Sequence, residues 1–179
     1  MNETTTCPKC GRQFAFETES VFTDPERILD LSAFRTECPG CGASLMLSYP
    51  CIYQDTERGG IIRLIPRGFD LSDLPAAVSP YSTGFFLRDT YTVYSFREKV
   101  LIFEHSLDDR AVELLKIITI QQNPERFHVQ DTDALLLADA DDETLSFYAL
   151  AKDGMKYYIF HPVPMRRAAR FTASTAPAW

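Results

Sequence analysis

Cys7-Pro8-Lys9-Cys10-Gly11 and Cys38-Pro39-Gly40-Cys41-Gly42 decide how this chain is read. Each stretch has the form C-P-x-C-G. Two thiolate pairs at C-x-x-C spacing suit a tetrahedral ion, because each tight turn aims two sulfurs at one point. Proline between the cysteines fixes φ and removes an amide that would need a partner. The glycine after each second cysteine can take the left-handed conformation. That turn lets backbone amides face the sulfurs and offset their charge. Cys7, Cys10, Cys38 and Cys41 are therefore read as metal ligands, with zinc as the ion. All four donors come from protein, which leaves no open position, so the site is structural rather than catalytic. The same spacing also suits iron. A dithiol redox reading needs a box that opens a helix within a βαβ unit. Here the first box precedes a strand-like run, and the box occurs twice.

The charge balance narrows the partners. The net charge is −7, shared between residues 1–66 (6 Lys/Arg against 9 Asp/Glu) and 67–179 (12 against 16). Neither part is a basic module, which argues against nucleic acid as the main partner. Lys9, Arg12, Arg35 and Arg63 on one face would reverse that argument. No apolar run is long enough to span a membrane. The first residues have neither a basic flank nor an apolar stretch, so no signal peptide is expected. A cytoplasmic location follows, where C-x-x-C pairs favour metal over disulfide.

Around the boxes the pattern is mostly β. Gln13 to Phe22 alternates with aromatics and reads as one strand. Thr23-Asp24-Pro25-Glu26 reads as a helix start with Pro25 at the first helical position. A second strand is expected near Phe34–Glu37, ahead of the second box. Leu45–Gln54 and Ile61–Ile65 are β-prone and flank a turn-rich link, which predicts a hairpin. Residues 67–90 read as a connecting loop. Tyr91–Leu101 fits strand or helix equally. Ser106 reads as the N-cap of the next helix, with Asp109 three residues later. Leu107, Ala111, Leu114, Leu115 and Ile118 form its apolar stripe. Asp153-Gly154 predicts a two-residue hairpin turn that sets Leu150 against Tyr157, Ala149 against Tyr158 and Phe147 against Phe160.

The resulting expectation is an α+β chain. Residues 1–66 form a zinc-ribbon-like module with a hairpin extension, 67–90 a connecting loop, 91–165 a helix packed on a small antiparallel sheet, and 166–179 a tail. Cys51 is read as a buried structural thiol. His105, His128 and His161 each stand alone in sequence. Asp139, Asp141 and Asp142 miss the calcium-loop pattern, because Thr144 occupies its glycine position. Arg166, Arg167 and Arg170, the only basic cluster, read as part of a solvated tail.

The paired C-P-x-C boxes, with aromatic β-prone sequence between and after them, resemble the CpXC domain of bacterial and archaeal proteins. The stretch Ser106-Leu107-Asp108-Asp109-Arg110-Ala111-Val112-Glu113-Leu114-Leu115-Lys116 is similar to the helix that follows there. The resemblance spans roughly residues 1–125 and implies a cysteine-rich, zinc-binding N-terminal module. It carries over Cys7, Cys10, Cys38 and Cys41 alone, and no activity. The expected function is a non-catalytic binding or assembly module with a protein partner. The alternatives are a nucleic-acid-binding zinc ribbon or a C-P-x-C redox protein.

Overall fold

The computed structural model describes residues 2–75, 86–124, 127, 132–141, 144–151 and 156–161. It is a mixed α+β structure with a few helices and several small sheets. The chain divides into two units, Met1–Val100 and Leu101–Trp179.

In the first unit, strands β1 (Asn2–Thr6) and β2 (Gln13–Glu17) form an antiparallel hairpin around the first box. Phe14 and Phe16 turn to the half-buried side of β2, as period-two alternation requires. The run expected to reach Phe22 as one strand is divided. Val21–Phe22 is a separate strand, β3, which joins a different sheet. Helix α1 (Glu26–Leu29) follows, with Pro25 at its cap and the Asp24 carboxylate accepting from the Glu26 amide at 3.0 Å. Leu31 takes a left-handed φ of 65° that ends the helical path. Strands β4 (Arg35–Glu37) and β5 (Ser44–Met46) then form the hairpin around the second box.

The expected hairpin is present in part, as β6 (Cys51–Asp55) and β7 (Gly60–Leu64); the run expected over Leu45–Gln54 is divided, with Leu45 and Met46 in β5 of another sheet. It forms the middle of a four-stranded sheet ordered β3-β6-β7-β8, separate from both box hairpins. Strand β8 (Phe86–Thr90) lies within the segment expected to be a loop and pairs with β7 in parallel. Its sequence hides this, because Arg88 and Asp89 break the apolar run. Both are accounted for: Arg88 stacks over the Phe86 ring at 4.4 Å, and Asp89 takes a two-point ion pair from Arg63 at 2.5 and 2.8 Å. Phe22, Cys51, Tyr53, Ile62 and Leu64 point to one face of the sheet and are buried.

Helix α2 (Val93–Glu104) occupies the stretch that the sequence left ambiguous. Thr92 and Ser95 exchange amide-to-hydroxyl bonds at 3.2 and 3.1 Å, a reciprocal cap that fixes its start. It begins in the first unit and ends in the second. Its end uses Ser106, which lies in the left-handed region at φ 53°. The Leu107 amide donates to the Ile102 carbonyl at 2.9 Å and the Ser106 amide to that of Phe103 at 3.0 Å. This is a Schellman closure, and the buried Ile102 and Leu107 are the apolar pair it brings together.

Ser106 is thus not an N-cap. The cap of α3 (Asp109–Gln122) is Asp108, whose carboxylate accepts from the Arg110 amide at 2.9 Å. The buried side of α3 is Val112, Lys116 and Thr119, spaced i, i+4, i+7. Leu114 and Ile118, expected in the apolar stripe, are exposed. Strands β9 (Thr132–Ala140), β10 (Leu145–Ala151) and β11 (Lys156–His161) form an antiparallel sheet ordered β11-β10-β9, and α3 contacts β9. Leu135, Leu136 and Leu137 are buried in succession, as are Phe147, Tyr148 and Ala149, so both faces of this sheet are covered.

The β10–β11 register is one residue from expectation. Leu150 faces Lys156, Ala149 faces Tyr157 and Phe147 faces Ile159. A two-residue turn at Asp153-Gly154 would set Leu150 against Tyr157, and the observed register does not match it. Residues 152–155, which contain Asp153-Gly154, lie outside the described residues, as do Arg166, Arg167, Arg170 and the tail.

Candidate metal centre

Each box is a turn between two short strands, and the two turns share one bonding pattern. In the first, the Cys7 amide donates to the Arg12 carbonyl and the Gly11 amide to the Cys7 carbonyl, both at 2.9 Å. In the second, Cys38 donates to the Ala43 carbonyl and Gly42 to the Cys38 carbonyl, again at 2.9 Å. Gly11 and Gly42 take φ of 72° and 66° at matching places. Only glycine adopts this region without steric cost, which explains the residue after each second cysteine. The bonds and glycines that shape each knuckle thus lie within its own box and the residue that follows it.

An aromatic cluster joins the knuckles to the core. Phe34, which precedes β4, is buried and sits 5.4 Å from the Tyr49 ring, 6.2 Å from Phe22 and 6.0 Å from Phe96. Tyr49 in turn lies 6.4 Å from Phe16 on β2. The path from Phe16 through Tyr49 to Phe34 thus spans both box hairpins, and Phe22 and Phe96 anchor it to the sheet and α2. Aromatic pairs at such separations add about 0.5–1.5 kcal/mol each beyond burial.

The knuckles bring the four expected ligands together. The Sγ atoms of Cys7, Cys10, Cys38 and Cys41 all lie within 4.8 Å of one another. Between the knuckles, Cys7 to Cys41 is 3.7 Å and Cys10 to Cys38 is 3.6 Å. Four thiolates about 2.3 Å from a tetrahedral ion would have sulfur–sulfur edges of about 3.8 Å. The donor set and its spacing fit a single metal ion. Among the described residues, no other group of His, Cys, Asp or Glu meets this geometry.

The electrostatics point the same way. Burial opposes a thiolate at Cys38, but amides from Gly40 and Cys41 and the neighbouring thiols outweigh it, and the thiol is held down at about 6. The Gly40 amide donates to Cys38 Sγ at 3.4 Å. Cys41 goes the other way. The Ala43 amide favours its thiolate, yet burial and the other three sulfurs push it up to about 12. Sulfurs this close do not all ionise unless a cation compensates them.

Among the described residues, the remaining candidates do not converge. Cys51 is fully buried in β6, and burial pushes its thiol far up, as suits an inert structural cysteine. His105 is exposed at the end of α2, and its amide closes on the Leu101 carbonyl. His128 lies outside the described residues. The Asp139 carboxylate accepts from the Ala140 amide, and the Asp141 carboxylate accepts from the Thr144 amide and hydroxyl. These aspartates cap their own backbone. Sequence reasoning missed the aromatic cluster around Tyr49, because its members are far apart in the chain.

Comparison with curated proteins and with solved structures finds no match. A family model does match: that of the CpXC protein, over residues 5–116. This span holds both knuckles, the four-stranded sheet and the first half of α3, and the chain belongs to the CpXC family.

Proposed function

We propose that this chain is a cytoplasmic, non-catalytic binding or assembly protein whose N-terminal knuckles form a zinc ribbon around one structural zinc. The observation that carries the reading is the four-sulfur cluster, with all atoms within 4.8 Å and all donors from protein. Such a set closes the coordination sphere and leaves no position for substrate or activated water. Zinc is favoured over iron because closed four-thiolate sites in small hairpin modules typically hold it. The ion would be held by Cys7, Cys10, Cys38 and Cys41, and it would clamp two hairpins that are too small to persist alone.

Two surface features support a protein partner over nucleic acid. Of the four basic residues whose alignment would mark a nucleic-acid face, Arg63 is committed to Asp89. Helix α3 exposes Leu114, Ile117, Ile118 and Ile120, an aliphatic surface unusual for a helix that buries a lysine.

The test is metal analysis of protein purified without added metal, followed by staged thiol titration. About one zinc per chain is expected. The four box thiols should react fully only after a chelator is added, and Cys51 only after a denaturant. Iron in place of zinc would revise the ion alone. Less than about half an equivalent of metal, with the fold intact after chelation, would remove the structural site.

A further inference from the structure

The two boxes differ at two matched places. Lys9 stands in the first where Gly40 stands in the second, and Arg12 follows the first where Ala43 follows the second. The structure accounts for the glycine. A Cβ built on Gly40 would meet Arg12 Cδ at 2.7 Å, Nη1 at 3.4 Å and Cβ at 3.6 Å. The Arg12 side chain therefore crosses from the first knuckle onto the second. Gly40 is not one of the glycines with positive φ, so its backbone alone does not demand glycine. The missing Cβ leaves the room that the crossing arginine occupies.

The crossing has an electrostatic consequence. Gly40 is the residue whose amide reaches Cys38 Sγ at 3.4 Å. The guanidinium thus rests against the backbone that supports a ligand. One dication among four thiolates leaves a surplus charge of −2, and arginine keeps its charge at any working pH. A fixed cation within about one Debye length of the sulfurs lowers the energy of the loaded centre.

We infer that Arg12 is a positioning residue of the metal centre: seated over Gly40 from the opposite knuckle, it offsets the surplus charge of the four thiolates and slows loss of the ion. This rests on the zinc reading above. The same contact ties one knuckle to the other, so the charge is held in place by packing against a site that lacks a Cβ.

Zinc release to a competing chelator tests it, measured on the full chain at about 0.02 M and about 0.5 M salt. The variants are Arg12→Gln, Arg12→Lys, Gly40→Ala and the double variant Arg12→Gln/Gly40→Ala. Arg12→Gln should release zinc roughly threefold to tenfold faster at low salt. That difference should shrink at high salt, and Arg12→Lys should restore most of the wild-type rate. Gly40→Ala, which displaces the side chain, should match Arg12→Gln, and the double variant should be no faster than either. An Arg12→Gln rate equal to wild type, or a difference that ignores salt, overturns the inference and leaves the zinc reading standing. A wild-type chain that binds no zinc overturns both.

Discussion

Tyr49 is buried, yet its polar end is satisfied: the hydroxyl donates to the Ala33 carbonyl at 2.9 Å. Its ring simultaneously bridges Phe16 and Phe34. Tyr49→Phe keeps the ring contacts and removes only the hydroxyl. The Ala33 carbonyl then loses its donor in a buried setting, a loss of about 1–3 kcal/mol in urea unfolding of the metal-loaded protein. The tyrosine also predicts a pH dependence. Burial pushes its hydroxyl up to about 12 from the ordinary 10. The folded state therefore keeps its proton longer than the unfolded state. The associated stability is complete below about pH 10 and is lost between about 10 and 12. Unfolding measured across that range should fall more steeply for wild type than for Tyr49→Phe; parallel curves would show that this hydroxyl is not the cause. At this scale the ligands were readable from sequence and their support was not. Cys7, Cys10, Cys38 and Cys41 sit in contiguous turns with glycine at the required φ. The Phe16–Tyr49–Phe34 path is assembled only by tertiary folding.

Helix α3 shows why an element can be foreseen while its orientation is not. Between residues 111 and 120 it carries Ala111, Val112, Leu114, Leu115, Ile117, Ile118 and Ile120, so apolar side chains point in nearly every direction. Periodicity then has no unique face to select. The fold chooses Val112, Lys116 and Thr119, placing the lysine stem inward while its amine pairs with Glu113 at 2.9 Å. Val112→Ala should therefore cost on the order of 1–2 kcal/mol, the range for losing buried methyl groups. Leu114→Ala, 60% exposed in the native protein, should change stability by no more than about 0.5 kcal/mol. The face read from sequence alone demands the reverse order, so paired denaturation curves separate the two. Ser106 offers a second check on the same region. A serine at φ 53° pays for a left-handed backbone that glycine adopts freely. Ser106→Gly should raise the unfolding midpoint by an amount equal to about 0.5–1 kcal/mol. An N-cap at Ser106 would instead make glycine neutral or mildly harmful. Strand β8 was illegible for a related reason. Its Asp89 is met by Arg63 from another part of the chain, while its local sequence looks like a polar loop.

Across the whole molecule, stabilisation is unevenly distributed. The hairpins β1–β2 and β4–β5 are two-stranded sheets whose strands show little more than alternate half-burial. Isolated hairpins of this size are marginal in water. The four-stranded sheet, by contrast, buries Phe22, Ile52, Tyr53, Ile62 and Leu64, and β9 with β10 bury two runs of three residues on both faces. The knuckles thus depend on the proposed ion, whereas the two sheets carry their own cores. Chelation should act locally. Hydrogen exchange after zinc removal should lose protection at the amides of Cys7, Gly11, Cys38 and Gly42 and along β1, β2, β4 and β5. The strands β6, β7, β9 and β10 should keep theirs. Acid should reproduce the pattern, because protonating the thiolates releases the ion. The aromatic cluster sets how far the loss spreads. Phe34 touches both β4 and the buried Phe22 and Phe96, so protection should fade across Phe34 and Tyr49 and stop at the sheet. Simultaneous loss across β6 and β7 would instead make the ion a keystone of the whole first unit, and the cores described here would be insufficient without it.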